Sequence, residues 1–375
     1  MKIFIISSAF PYRGGIANFA GLLYTELSKN HSVTVVTFKR QYPSFLFPGK
    51  SQLEPDNHSV KIPSVQLIDS INPVTWYMTA KHILNEKPDL VIFKYWLPFF
   101  SPSFGFIAGK LKKQGIPLAC IFHNVIPHER IPGDKILSMY FVRKVDHFIT
   151  LSESVKNDLS LLVPDKKTLV LFHPVLSFFG ELTDKKIAKE YLQISAEKLL
   201  LFFGIVREYK GLDVLINALS RLSSLPDLKL LVAGEFYSDK NSYLKLIEKK
   251  GLMDKIIVRD NFIPASEVKY YFSAADAVIL PYRSATQSGI VQIAMNFRKP
   301  VIASDVGGLS EVVKHGITGY IVEKENPQKL ADAILNFYEN NKERDFVKNV
   351  ENEVGKYSWS NFVAQMISFV SSEKN

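Results

Sequence analysis

The chain has 375 residues, too many for one ordinary domain, and its 47% hydrophobic content supplies a core for each of two. A single cysteine, Cys120, excludes a disulfide framework and fits a reducing compartment. The formal charge of +9 is unevenly spread, since residues 1–175 hold 20 Lys and Arg against 12 Asp and Glu. That surplus fits an anionic partner, although a merely solvated basic face has the same composition; no zinc-ligand spacing, helix-turn-helix signal or long Lys/Arg tract points to nucleic acid.

The opening "MKIFIISSAF" lacks a cleavage pattern, so "KIFIIS" (2–7) reads as a first strand and not as a signal peptide. No uncharged apolar stretch reaches the ~20 residues that span a bilayer, and a cytoplasmic chain is expected. "FPYRGGIANF" (10–19) comes next. Gly14 and Gly15 permit a tight turn and a close backbone approach to a ligand at a helix N-terminus. A strand-to-helix turn uses glycine in any case, and the absence of GxGxxG argues against a nicotinamide or flavin site. Ile16, Phe19, Ala20, Leu23 and Leu27 then follow helical spacing.

Further strands are expected at "SVTVVT" (32–37), "PDLVIF" (88–93), "PLACIF" (117–122) and "HFITL" (147–151), with helical stretches between. His123, in "IFHNVIPHE" (121–129), falls at a strand's carboxyl end and is expected at the edge of a cleft. His128 and Glu129 follow on the loop as candidates for acceptor binding. "QYPSFLFPGK" (41–50) and "KYWLPFFSPSFGF" (94–106) join aromatic side chains to scattered lysines. Such stretches suit an anionic membrane surface or a lipid-linked acceptor if exposed, and core packing if buried between helices.

After "HPVLSFFGELTD" (173–184), where turn residues interrupt the pattern, the alternation restarts. "LLLFFG" (199–204), "LKLLVAG" (228–234), "KIIVRD" (255–260), "AVILP" (277–281) and "PVIAS" (300–304) are the strands of the second half. Two doubly wound α/β domains are therefore expected, at residues 1–175 and 176–356, each with ligands at the carboxyl ends of its strands. The final segment, 357–375, contains an amphipathic helix expected to return to the first domain.

Two stretches of the second half carry chemistry. In "FFGIVREYKGLD" (202–213), Gly204 ends a strand, and Arg207 and Lys210 follow before a helix. A guanidinium and an ammonium three residues apart suit a diphosphate, where Arg holds two oxygens and Lys acts as a point charge. "RSATQSGIVQIAMNFRKPV" (283–301) holds no acid at all. Thr286, Gln287, Ser288 and Gly289 occupy a loop and helix start whose free N–H groups favour an anion, although Ser288 alone is also an ordinary N-cap. Gly307 and Gly308 open one more helix in the same way.

At these residues the chain resembles the family 4 retaining glycosyltransferases of the GT-B fold, two Rossmann-like domains facing a central cleft. The resemblance lies in "FFGIVREYKGLD", "LLVAGEF", "YFSAADAVILPY" and "KPVIASDVGGLSEVVKHGITGYIV", with the N-terminal double glycine and "SESV" (152–155). It implies transfer of a hexosyl unit from a UDP- or GDP-linked sugar to a glycan or polyprenyl or other lipid-linked acceptor, with no metal and no cofactor. It also implies a donor-binding C-terminal domain and an acceptor-binding N-terminal one. Lys210 matches the family's diphosphate lysine, His123 the histidine facing the donor sugar, and Gly15 the glycine approaching the diphosphate; Arg207 stands two residues beyond the usual arginine. Gly14, Gly204, Ile263, Thr286, Gln287, Ser288 and Gly289 complete the expected donor contacts. The family's two glutamates, eight positions apart, are replaced by Ala285 and Ile293, a departure similar to that in enzymes building bacterial surface polysaccharides. It leaves open a catalytically silent sugar-nucleotide-binding subunit, or a sugar-nucleotide epimerase on the same fold. A cytoplasmic location, with peripheral contact at the inner face of the membrane, completes the expectation.

Overall fold

The computed structural model describes residues 1–44, 51–53, 61–126 and 132–372. His128, Glu129 and most of the 41–50 loop lie outside the described residues. The chain divides into two compact units, Met1–Pro174 with Ser358–Asn375, and Val175–Tyr357.

Unit 1 alternates strands and helices: β1 (Lys2–Ile6), α1 (Gly15–Leu27), β2 (Ser32–Arg40), β3 (Ser64–Asp69), α2 (Pro73–Asn85), β4 (Leu90–Tyr95), α3 (Ser101–Lys112), β5 (Leu118–Phe122), α4 (Asp134–Val142), β6 (His147–Thr150), α5 (Glu153–Ser160) and β7 (Thr168–Val170). Unit 2 continues with α6 (Lys185–Tyr191), β8 (Lys198–Phe203), α7 (Leu212–Leu219), β9 (Leu228–Ala233), α8 (Lys240–Lys249), β10 (Ile256–Arg259), α9 (Ala265–Ala274) and β11 (Ala277–Leu280). It ends with α10 (Gly289–Asn296), β12 (Val301–Ser304), α11 (Leu309–Val312), β13 (Gly319–Val322), α12 (Pro327–Glu339) and α13 (Lys342–Val354), before α14 (Trp359–Ser372) rejoins unit 1.

The strand runs are continuous in Val, Ile, Leu and Phe because helices cover both faces of each sheet. β5, "LACIF", is buried at every position. Unit 1 has the order β3-β2-β1-β4-β5-β6-β7 and unit 2 the order β10-β9-β8-β11-β12-β13, with every pairing parallel. Winding reverses between β1 and β4 in the first sheet and between β8 and β11 in the second. A crevice opens at the carboxyl edge of each such switch point.

Side chains set the helix starts. Asn72 accepts from the Val74 amide ahead of Pro73, and Ser152 and Asp184 cap α5 and α6 in the same way. α14 lies against α1, with Trp359 edge-on to Phe19 at 4.8 Å, and it closes the core on that face of the first sheet. The other face carries Phe38, Phe93, Phe100, Phe104 and Phe141 under α2, α3 and α4. The stretch 94–106, a possible membrane loop on sequence grounds, is thereby largely core: Tyr95, Phe100 and Phe104 are fully buried. Helix spacing, and not loop exposure, decides where those aromatics go.

Candidate functional site

In unit 2 the loops after β8 and β11 meet at the switch point. Gly204 has φ 95°, and a Cβ there would stand 3.2 Å from the Lys210 ammonium and 3.3 Å from Ile290 Cδ1. Gly211, at φ 67°, lies so close to Pro281 that a Cβ would collide with its carbonyl oxygen. A backbone bond ties the two loops together, the Arg283 amide donating to the Tyr209 carbonyl at 2.7 Å, while the Val206 amide reaches the loop after β9 at the Glu235 carbonyl, 2.8 Å away. The loop after β12 joins them where the Gly308 amide donates to the Thr286 carbonyl at 3.0 Å.

Lys210 lies inside this junction. Only 9% of it is exposed, and its ammonium sits 5.7 Å from the Tyr282 ring centroid. Burial lowers its pKa to about 8, and the nearby charge of Arg207 pushes the same way. Arg207 is half-buried with its guanidinium 5.4 Å over the Tyr237 ring. Two cations thus share one crevice.

The segment after β11 adds a helix start. Ser288 is the N-cap of α10, its hydroxyl accepting from the Ile290 amide at 3.2 Å. Among the described residues the buried Gln287 Oε1 has no hydrogen-bond donor. Thr286 is buried under the loop after β12, whose Gly308 amide its carbonyl accepts. Ile263 is buried in the turn between β10 and α9, on the same sheet edge but two strands away from β8. An open concavity of about 980 Å³ lies at the opposite, amino edge beside α6, lined by mixed charges that serve no evident chemistry.

The corresponding point of unit 1 is built differently. Gly14, at φ 105°, caps α1 without a side chain, and a Cβ on Gly14 or Gly15 would meet nothing within 4 Å. The N-terminus of this 13-residue helix is therefore open to an approaching anion. Beneath it lies a buried basic cluster. Lys94, at the end of β4, donates to the Ile16 carbonyl at 3.0 Å and stands 3.8 Å over the Phe19 ring. The rings of His123 and His173 meet Phe19 edge-on at 5.0 and 4.9 Å. His123 is 2% exposed, so it is an interior residue and not one at an open edge. Its amide donates to the Tyr95 carbonyl at 2.8 Å, while Nε2 has no partner among the described residues. Burial first, then Lys94 and His173, hold its pKa well below the ordinary histidine value; burial likewise takes His173 to about 4. Both imidazoles are neutral at pH 7.

Comparison with known proteins fits this architecture. Residues 13–175 match the model of Glycosyltransferase Family 4, and residues 183–353 that of Glycosyl transferases group 1. The chain belongs to the family 4 glycosyltransferases. It is 25% identical to an uncharacterized glycosyltransferase of Methanocaldococcus jannaschii, over 98% of this chain and 97% of that one. A D-inositol 3-phosphate glycosyltransferase of Pseudarthrobacter chlorophenolicus is 32% identical over 37% of this chain and 34% of its own length. Among solved structures, a sucrose-phosphate synthase from Thermosynechococcus elongatus superposes with a TM-score of 0.77 at 19% identity, covering 99% of this chain and 98% of that one. Anabaena Alr3699/HepE, solved in complex with UDP, also gives 0.77, at 17% identity over 99% of this chain and 100% of that one. The architecture is the GT-B fold.

Against the family pattern, the two positions that lack glutamate are buried and apolar. Ala285 is covered by Gly307, whose Cβ would strike the Ala285 carbonyl, and Ile293 faces the interior from α10. Two side chains that sequence reasoning missed stand beside them. Gln292 is 1% exposed, with an Oε1 that has no donor among the described residues; at i+4 from Ser288 it lies on the cap's side of α10. A lone amide in the apolar run "GIVQIAM" was the available signal. Arg283 pins the β11 loop by a bidentate bond to Asp213 at 2.9 and 2.6 Å and a contact with Glu325 at 3.1 Å. Its charge is thus spent on scaffold. Among the described residues no group of three or more His, Cys, Asp or Glu is arranged to hold a metal ion.

Proposed function

We propose that this glycosyltransferase moves a hexosyl unit, with retention, from a UDP- or GDP-linked sugar to a glycan or lipid-linked acceptor in surface polysaccharide or glycolipid assembly. One observation carries the reading: Lys210 is a buried ammonium facing a second cation and no acid, beside the start of α10. Burying a cation without a counter-ion is unfavourable, and a diphosphate restores the balance. The UDP complex of Alr3699/HepE supports a nucleoside diphosphate in this role.

In the mechanism that fits these residues, the bond from the anomeric carbon to the diphosphate oxygen breaks while the acceptor oxygen attacks the same face. The departing phosphate oxygen takes the acceptor's proton. Arg207, Lys210 and the N–H groups after Ser288 stabilise the charge that develops on the leaving group. Gln287 and Gln292 offer amides to the donor's hydroxyls where the family's glutamates are missing. Unit 1 is assigned the acceptor, and the open N-terminus of α1 at the Gly14–Gly15 turn is its candidate anion contact. No carboxylate of the 283–301 stretch is available as a nucleophile, which disfavours double displacement. The buried free thiol of Cys120 is in keeping with a reducing, cytoplasmic setting.

The apolar Ala285 and Ile293 favour a second reading, a subunit that binds sugar nucleotide without turning it over. Thermal unfolding in UDP-, GDP- and ADP-glucose tests binding, because a ligand at 100 times its Kd stabilises by about 2.7 kcal/mol. Nucleotide release that requires a glycan or lipid-linked acceptor separates the enzyme from the silent subunit, and epimerised donor without acceptor would indicate the isomerase. No stabilisation by any of the three donors would remove the proposal.

A further inference from the structure

Unit 1 displays an apolar and basic surface that the sugar-transfer reading does not use. α3 lies between α2 and α4 on one face of the seven-stranded sheet. On α2, Val74, Tyr77 and Met78 are 65%, 52% and 61% exposed, and Lys81 continues the same stripe. On α4, Ile136 and Tyr140, one turn apart, are 75% and 46% exposed. α3 bridges the two. The Lys110 ammonium lies 5.7 Å from the Tyr77 ring and 5.8 Å from that of Phe106, and Gly105 lets Tyr140 lie directly on the α3 backbone. Lys144 stands 3.2 Å over the Tyr140 ring.

Cations dominate this surface. Within α2, α3, α4 and the two residues after each stand Lys81, Lys87, Lys110, Lys112, Lys113, Lys135, Arg143 and Lys144 against Glu86 and Asp134, and Glu86 is paired with Lys2. Large apolar side chains ringed by cations are unfavourable in water and suit an interface whose headgroups are anionic and whose interior is hydrocarbon. A second copy is a poor occupant, because a two-fold contact through this face would set cations against cations. No described helix is long and apolar enough to cross a membrane, so contact through this face would be peripheral.

We infer that the α2–α3–α4 face docks the protein on an anionic lipid bilayer, with Val74, Met78 and Ile136 entering the headgroup boundary and the lysines and Arg143 meeting lipid phosphates. The inference deepens the lipid-linked acceptor reading by naming the surface at which such an acceptor would be met. Its test is independent of the donor site, since vesicle pelleting and nucleotide binding are separate readouts.

Full-length protein is pelleted with vesicles of phosphatidylcholine alone and of phosphatidylcholine with phosphatidylglycerol. Wild type is expected to bind the anionic vesicles, and the Lys110→Glu/Lys113→Glu variant to bind them at least about tenfold more weakly. Val74→Asp/Met78→Asp/Ile136→Asp is expected to lose binding while keeping the wild-type thermal shift with donor nucleotide, which shows it folded. Equal binding to neutral vesicles, or undiminished binding by both variants, overturns the inference. So does a wild-type dimer in solution that the triple substitution dissociates.

Discussion

Lys94 and Lys210 invite comparison, because each unit places a buried lysine at the carboxyl edge of its switch point and gives it no acid. Lys94 is fully buried, and its ammonium is bonded to the Ile16 carbonyl in the first turn of α1. Lys210 is slightly open, and its ammonium has no hydrogen-bond acceptor among the described residues, only the flank of Tyr282. Burial lowers the pKa of both. What separates them is the partner. Lys94 serves a helix already in place, whereas Lys210 keeps its donors for something the chain does not contain.

Replacing both with methionine is the sharpest way to break this comparison. Lys210→Met should lower sugar transfer at least as much as loss of one oxyanion donor, about 10²–10³-fold. Its stability should rise: with a folded pKa near 8 against the ordinary 10.5, the charged form carries a penalty of up to about 3 kcal/mol at pH 7 that methionine removes. Kinetics and thermal unfolding of one preparation check both halves. A variant that is inactive and less stable would mean that Lys210 supports the fold and is not held in reserve for a ligand.

The next effect is in pH. The diphosphate favours charged Lys210, so donor binding takes up a proton once the free protein has lost it above about pH 8. Donor affinity measured by calorimetry should fall by about tenfold per pH unit above 8 and be level below it. Stability of the free protein should move the other way between pH 8 and 10.5, because there the unfolded chain still holds the proton that the folded one has released. The affinity slope should vanish in Lys210→Met, and the stability slope should become shallower, because Lys94 and Lys299 are also buried with lowered pKa values and keep their share of it. A flat affinity profile to pH 10 in the wild type would contradict the assignment.

Lys210 could be placed from sequence and Lys94 could not, and the reason is physical. The strand β8, Gly204, the two cations and Gly211 are consecutive, so local spacing alone brings them to one helix start. The same holds for the start of α10, where Ser288 follows the β11 loop directly. Lys94 ends a strand like many surface lysines, and only the placement of α1 over β4, with three elements between them in sequence, buries it beside Phe19, His123 and His173. The expectation for His123 was right about the strand end but not about exposure, for the same long-range reason. Arg283 reads as a surface cation until α7 presents Asp213 to it. Gln292 was legible as an odd polar residue in an apolar helix, but its unsatisfied oxygen depends on what covers α10. β3 escaped notice because it lies at the sheet edge, where half-exposed "SVQLID" loses the continuous apolar run of a central strand.

The smallest effect is the most telling about Lys94. Lys94→Met keeps the aliphatic bulk against Phe19 and removes the ammonium. The lost bond to the Ile16 carbonyl is worth about 1 kcal/mol, and the removed desolvation penalty offsets it, so stability should change by no more than about 1 kcal/mol in either direction. What should change is local. With its lysine tether gone, and with no side-chain cap at Gly14, the first turn of α1 should open more often. Amide exchange of Ala17 through Ala20 should then quicken while β4 and β5 keep their protection. Donor-nucleotide binding measured on the same variant sharpens the contrast. If Lys94 acts only within unit 1, donor affinity keeps its dependence on pH above 8, since the titrating ammonium of unit 2 is untouched. Loss of that pH dependence in Lys94→Met would assign the titration to the wrong lysine and reverse the roles of the two.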